Sequence, residues 1–533
     1  MSEKRMFVNA KIYTVDMENK EADAMVVYNG KISWIGKEKD MPPVEGERVN
    51  LNGRRVLPGF IDAHFHPLLL AETSKQIACT LPGVQSIYDF IKAVRQFREE
   101  HAADAWIEGW GYDEGKLQEG RAPNRYDLDK AAEDVPIVLT RTCTHIISVN
   151  SKALEIAGIT KGTPDPPGGK IDRDDQGEPT GILRESATAL VKDIMPVKSL
   201  EKKAALLAEY SQILLSNGVT GITEMMADHQ PIDFYDIFQA AVKKGMKQRA
   251  ALYYNWKEFQ QLDLSDPGIF DKEQPVYIAG IKLFADGSIS GQTAWVNPPF
   301  LGGGENYGIS TTTQEELLAA GEAAKKHGIQ LAVHAMGERA IDQVVDTFYK
   351  QADWLDDAPS VRIEHVSLPT DQALQRAAES GIAFVTQPIF LYAEIESYIK
   401  NLGEERTRTS YPVKTMLGKG IQLAFSSDAP ATAWGDPVNP FFGLESAVNR
   451  KAYDGMDIGQ EERISIETAV ELYTKAAQEV TRIPSVGQLI PGNHADFIVL
   501  EKDIFGADKA EISQIKVKET YMGGVMVYRR KGD

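Results

Sequence analysis

Between Val56 and Ser426, short apolar β-branched runs alternate with amphipathic helical stretches. Such alternation builds βα units around a parallel sheet. Eight candidate strands are read: Val56–Ile61, Val219–Glu224, Arg249–Tyr254, Val276–Phe284, Ile329–His334, Val361–His365, Ile382–Gln387 and Ile421–Ser426. Helical segments such as Glu315–His327 and Asp371–Ser380 lie between most of them. Eight units predict a TIM (β/α)8 barrel, which carries its chemistry where the strands end. A doubly wound sheet gives the same pattern by periodicity alone.

The gap between the first two strands, roughly Pro67 to Asn217, is too long for a loop. It holds its own helices, Ile87–Glu99 and Leu200–Ser216, and strand-like runs, Ala105–Gly109 and Ile137–Thr140. An inserted subdomain at about 70–216 is expected. Its segment Thr163–Gly181 is rich in Pro, Gly and Asp. That composition gives turns, either beside the active-site mouth or as a plain surface loop.

Both chain ends read as short strands with tight turns at Asn29-Gly30, Asn52-Gly53 and Gly523-Gly524. Each end alone is too short for a good core. One β-sandwich built from residues 1–55 and 483–533 is the economical packing; two independent appendages are the alternative. The barrel with its insertion then spans 56–482.

Composition narrows the function classes. The 533 residues carry 58 basic and 77 acidic side chains, a formal charge of −19. No basic surplus exists to neutralise phosphates, so neither nucleic acid nor an anionic membrane is an expected partner. No apolar stretch approaches ~20 residues, the length of a membrane span. Only two cysteines occur, Cys79 and Cys143, without a C-x-x-C pattern. With no apolar h-region in Met1–Ala10, a cytoplasmic location is the expectation. An exposed sheet edge is compatible with a homodimer.

The strongest local signal is His64-Phe65-His66 at the end of an apolar strand. Residues i and i+2 of a strand share a face, so two imidazoles stand side by side. Imidazole is the common ligand of zinc-like ions. His334, His365 and Asp428 also sit just past apolar strands. The chain has nine histidines, and four of them lie at such ends. In a barrel these five groups would converge on one face.

Lys282 is unusual within the apolar run Val276–Phe284. A lysine there is desolvated unless it is paired or its charge removed. An ion pair with Asp286 or a barrel carboxylate is one reading. A carbamate formed with carbon dioxide, giving a bidentate anionic ligand, is the other. Glu224 ends the second strand and could compete as a ligand. For substrate contacts, His145, Trp110, Tyr112, Trp295 and Glu185 are candidates. Glu185 could bind a cationic group or steady Arg184. Structural hydrogen bonding and packing are the competing readings of these residues.

His64-x-His66, Lys282, His334, His365 and Asp428 occur in an order that resembles the amidohydrolase superfamily over nearly the whole chain. The run Gly59–His66 is similar to that superfamily's first strand, and Gly487–Phe497 to its returning β segment. Asn150–Leu154, Thr180–Glu185, Lys282–Ser288 and His334–Ala340 resemble the subgroup containing N-substituted formamide deformylase. The resemblance implies two metal ions, most simply zinc. His64, His66 and Asp428 would hold one, and His334 and His365 the other. N6-carboxylated Lys282 and a hydroxide would bridge them. Asp428 would also move the proton from that hydroxide to the leaving nitrogen. The implied activity is metal-dependent hydrolysis of a non-peptide C–N bond in a small amide or N-substituted formamide. The alternatives are a single-metal deaminase of an amidine-like or heterocyclic substrate, and a non-catalytic binding protein on the same scaffold.

Overall fold

The computed structural model describes residues 4–80, 83–101, 105–142, 146–432, 434 and 436–531. Two compact units divide the chain. The first combines Met1–Pro67, Ala204–Ala429 and Pro437–Asp533; the second combines Leu68–Lys203 and Pro430–Asp436.

The first unit contains an eight-stranded parallel sheet. Its strands are β1 (Phe60–Phe65), β2 (Val219–Ala227), β3 (Arg249–Asn255), β4 (Val276–Phe284), β5 (Gln330–Ala335), β6 (Val361–His365), β7 (Ala383–Thr386) and β8 (Leu423–Phe425). They pair in chain order, each with the next. That is a TIM-barrel-like fold. Small and aromatic side chains fill it, including Ala63, Ala251, Tyr253, Tyr277, Ala279, Ala332, Ala383 and Ala424. Val480, Ile483 and Val486 pack into the same cluster.

β1 differs from its sequence reading, Val56–Ile61. Residues 56–58 belong instead to a long strand of another sheet, Glu47–Pro58. The chain passes between sheets at Gly59, whose N–H donates to Asp496 O at 3.0 Å. Any Cβ at Gly59 would collide with the Thr220 side chain. The apolar run is continuous across this point, so hydrophobicity alone could not place the break.

That second sheet joins the two chain ends. Its order is Val525–Arg529, Val517–Met522, Phe497–Leu500, Glu47–Pro58, Lys4–Tyr13, Ala24–Tyr28, Lys31–Gly36, with Glu21–Ala22 paired to Lys4–Tyr13. The join is antiparallel, with Val56 opposite Val499 and Pro58 opposite Phe497. Phe7, Phe497 and Tyr521 form its aromatic core; Phe497 and Tyr521 stack 4.5 Å apart. Arg249 at the start of β3 donates to buried Asp496 at 3.1 Å, tying this sheet to the barrel.

The second unit holds a six-stranded sheet: Gly169–Arg173, Pro179–Glu185, Ile146–Val149, Ile137–Arg141, Ile107–Tyr112, Ile77–Ala78. The helix Ile87–Glu100 packs Phe90 and Val94 into its core. Ser86 caps that helix by accepting from the Asp89 N–H. Thr163–Gly181 forms a hairpin arm here. Arg173 donates to the carbonyls of Thr160, Lys161 and Gly177, which pins the turns. Among the described residues no helix is long and apolar enough to cross a membrane.

Candidate metal centre

Each predicted ligand sits at or beside the C-terminal end of a barrel strand. His64 and His66 come from β1, Lys282 from β4, His334 from β5 and His365 from β6, while Asp428 follows β8. One ligand atom each from His64, His66 and Asp428 lies within 4.8 Å of the others. Asp428 Oδ1 is 3.1 Å from His66 Nε2 and 3.4 Å from His64 Nε2. The His365 ring centroid is 4.8 Å from that of His64 and 4.4 Å from that of His334. The structure thus gathers the five groups and the lysine at one place.

Each imidazole has one nitrogen engaged from outside the cluster. His64 Nδ1 contacts Glu364 Oε2 at 2.5 Å. His66 Nδ1 lies 3.4 Å from Glu224 Oε1. His365 Nδ1 contacts Gln387 Oε1 at 2.9 Å, and His334 Nε2 contacts Gly287 O at 2.9 Å. An outer acceptor of this kind fixes the tautomer and frees the opposite nitrogen for a cation. Glu224, read from the sequence as a competing ligand, is placed on the outer nitrogen of His66.

Local backbone geometry aims these groups. His365 and Val366 have φ of 74° and 50°, and Asp428 has φ of 53°. Left-handed backbone is costly for such residues and concentrates at functional sites. Asp286 anchors the loop after β4. It accepts from the N–H groups of Trp295 (2.8 Å), Met336 (3.0 Å) and Gly337 (2.8 Å). Its Oδ1 also lies 3.4 Å from His334 Nε2. The sequence pairing of Asp286 with Lys282 is therefore replaced by a loop clamp beside His334.

Three of the four imidazoles are held neutral. Burial, then the Lys282 charge, lowers the pKa of His64 well below the ordinary value and that of His334 to about 3. Burial and the neighbouring imidazole of His334 do the same to His365. Neutral imidazole is the metal-binding form. Burial also lowers His66, but hydrogen bonding to Asp428 and Glu224 outweighs it and raises the group to about 9. A bound cation would take the place of that proton. Lys282 falls to about 8 through burial, partly offset by Glu364 and Asp428. Its Nζ is buried with no hydrogen-bond partner among the described residues. An unsatisfied lysine nitrogen beside four imidazoles suits a positive ion and an anionic form of the lysine.

The predicted substrate contacts fare differently. Trp295 lies half-buried in the Asp286-anchored loop. Trp110, Tyr112 and Glu185 lie in the second unit. Tyr112 is fully buried there, with its hydroxyl 2.9 Å from Ser148 Oγ, so it packs that unit's core. Arg184 is held by Asp172 at 2.8–3.0 Å, which takes the steadying role considered for Glu185. Glu185 itself is exposed with φ of 50°. His145 lies outside the described residues.

Sequence reasoning missed Glu364, Gln387 and Phe284. Phe284 ends β4 with its ring 5.4 Å from His334 and Lys282 Nζ 5.1 Å from its centroid. Charged residues at Arg362 and Glu364, alternating in an apolar strand, were the available signal for the first of these.

A barrel with metal-competent groups at its strand ends defines a metal-dependent hydrolase. The comparisons make this specific: residues 47–528 match the model of the amidohydrolase family, and the chain belongs to it. It is a hydrolase of carbon–nitrogen bonds other than peptide bonds. Similar proteins include YtcJ of Bacillus subtilis, 31% identical over 97% of this chain and 98% of that protein. The N-substituted formamide deformylase of Arthrobacter pascens is 27% identical over 99% and 98%. An uncharacterized metal-dependent hydrolase from Pyrococcus horikoshii superposes with a TM-score of 0.76 at 25% identity, over 95% of this chain and 99% of that one.

Proposed function

We propose that this chain hydrolyses the C–N bond of a small amide of the N-substituted formamide type, using two divalent cations, with zinc the natural choice for histidine-rich ligation. The reading rests on one observation above all. Lys282 Nζ is buried with no hydrogen-bond partner among the described residues, beside four imidazoles that are each engaged from behind. His64, His66 and Asp428 would hold one cation, and His334 and His365 the other. Lys282, carboxylated by carbon dioxide with loss of a proton, would add an anionic oxygen ligand. When bound, the cations supply a water of lowered pKa and polarise the scissile carbonyl.

The chain's own residues then do the rest. Asp428 takes the proton of the attacking water and delivers it to the departing nitrogen. Its left-handed backbone holds the carboxylate between the β1 histidines. Asp286 keeps the loop after β4 and His334 in fixed relation. Phe284 presents an apolar face beside Lys282 and His334, suited to a hydrocarbon substituent on the substrate.

A second reading has specific support. His64, His66 and Asp428 form a compact triad by themselves. One cation there would suit a deaminase of an amidine-like substrate. Elemental analysis with a substrate panel separates the two. Two zinc per chain and release of amine and carboxylate from N-formyl amines support the first. One metal per chain and ammonia released only from amidine-like rings would overturn it. Full metal loading without any turnover would leave a binding protein.

A further inference from the structure

Arg362 and Glu364 alternate on β6, and both are fully buried. Alternation places them on one face of the strand. That face is the barrel interior. Arg362 Nη2 donates to Ala63 O of β1 at 2.5 Å, and Nη1 donates to the Tyr253 hydroxyl of β3 at 3.3 Å. Neither strand neighbours β6 in the sheet, so these bonds cross the ring. The chain of contacts continues. Tyr253 donates to Gln330 Oε1, and Gln330 Nε2 donates to the carbonyls of Pro359 and Val480 at 2.6 and 2.9 Å.

The other end of this network meets the metal centre. Arg362 Nε donates to Glu364 Oε1 at 2.5 Å and Nη2 to Oε2 at 3.0 Å. Guanidinium is purely a donor, so both carboxylate oxygens act as acceptors. His64 Nδ1, 2.5 Å from Oε2, must then carry the hydrogen. Its Nε2 is left with the lone pair, 3.4 Å from Asp428 Oδ1. None of the other three imidazoles is tethered like this. Gln387 offers a neutral oxygen to His365, and His334 Nε2 meets the Gly287 carbonyl at 2.9 Å with the Asp286 carboxylate farther off at 3.4 Å. Glu224 stands farther off, at 3.4 Å from His66.

Two further features point to a task rather than to packing. A buried ion pair adds little stability over an apolar replacement of similar volume, and the surrounding interior is built of Ala, Tyr, Met and Val. Strict alternation would also turn His365 away from the face that Glu364 occupies. The left-handed step at His365 and Val366 reverses this, and the His365 ring ends 4.8 Å from His64. Consecutive residues thus serve one centre, one behind His64 and one beside it.

We propose that Glu364, seated by Arg362, is a positioning residue that fixes His64 with hydrogen on Nδ1 and the lone pair on Nε2, so that this ligand is preset before a cation arrives. The inference rests on the metal-centre reading for its consequence, while its core claim concerns the metal-free chain.

The test uses the full chain labelled with 15N at histidine and stripped of metal. The His64 signal is assigned by its loss in His64→Gln. The expected spectrum shows a protonated Nδ1 and a bare Nε2 on His64. Glu364→Gln should lower affinity for zinc about 10–100-fold in a chelator competition, with Glu364→Asp recovering part of the loss. Because Glu364→Gln strands the Arg362 charge, the double variant Arg362→Met/Glu364→Gln provides a folded comparison without it. Hydrogen on Nε2 of His64 in the parent would overturn the proposal. So would parent-like zinc affinity in a folded Glu364→Gln or double variant. A parent that bound no zinc would sink the hydrolase reading, yet the tautomer measurement would still decide this one.

Discussion

The backbone N–H of Asp428 donates to the carbonyl of His64 at 2.8 Å. The first and last barrel strands therefore meet through two members of the candidate metal centre. His66 N–H repeats the stitch to Ala429 O at 3.0 Å. Asp62 adds a side-chain clasp, accepting from Ser427 N–H at 3.0 Å and from its hydroxyl at 2.6 Å. β1 and β8 stand at the two ends of the sheet order, and these bonds bridge them where the chemistry would occur. Ring closure and ligand convergence are one structural event.

Replacing Asp62 tests that coupling. Asp62→Ala deletes both acceptors for Ser427 at a buried position. Leaving buried donors unsatisfied costs about 1–3 kcal/mol. The denaturant midpoint should fall accordingly, and metal retention should weaken with it. Unchanged melting would mean that the backbone stitches alone close the ring.

Asp428→Asn separates proton transfer from structure. The amide keeps an oxygen but cannot take up the proton of water. Turnover should fall by about 10²–10⁴-fold, the range for losing a general base, while part of the bound metal remains. Activity at the parent rate would remove Asp428 from that role.

Lys282 carries the pH dependence. Burial lowers its folded pKa to about 8, below the ordinary lysine value of 10.5. The folded chain thus holds fewer protons than the unfolded one between those values. In metal-free protein this group opposes folding below about pH 8, and the penalty fades as pH rises from about 8 to the unfolded value. Only the neutral amine reacts with carbon dioxide. Metal reconstitution should accordingly depend on bicarbonate and quicken as pH rises through about 8. Lys282→Gln should abolish both responses. A parent reconstituting equally well without carbon dioxide would show that the lysine stays unmodified.

The parts of this molecule legible in its sequence share a physical cause. β4 is legible with its observed bounds because it is a nearly unbroken apolar run after Pro275, and β6 because Val361 and Ile363 alternate with polar residues up to His365. His64, His66, His334, His365 and Asp428 were legible for the related reason that polar groups at the ends of apolar strands stand out. Gly59 was not, since apolar residues flank it on both sides and only contact with Thr220 marks the turn. Glu364 and His64 are separated by 300 positions, and their pairing exists only once the ring closes. The left-handed φ of His365 has no compositional signature, because the surrounding contacts rather than the residue type enforce it. The clamp on Asp286 likewise draws on three N–H groups from two separate segments, around Trp295 and at Met336-Gly337.

Phe284 offers the most direct approach to the substrate. It is 38% exposed although it ends a strand whose other residues are buried. Its ring lies 5.4 Å from that of His334 and is partly open to solvent, so under the proposed function a hydrocarbon substituent would rest against it. Phe284→Ala removes that surface without creating a core cavity, so stability should stay within about 0.5 kcal/mol of the parent. A substrate covering part of the ring would lose about 1.4 kcal/mol, or tenfold in KM. The loss is shared by ground and transition states, and kcat should hold. Steady-state kinetics on a series of N-formyl amines of rising chain length gives the decisive comparison. The KM penalty should grow with chain length if Phe284 contacts the substituent, and a penalty equal for every member would assign that contact to another residue.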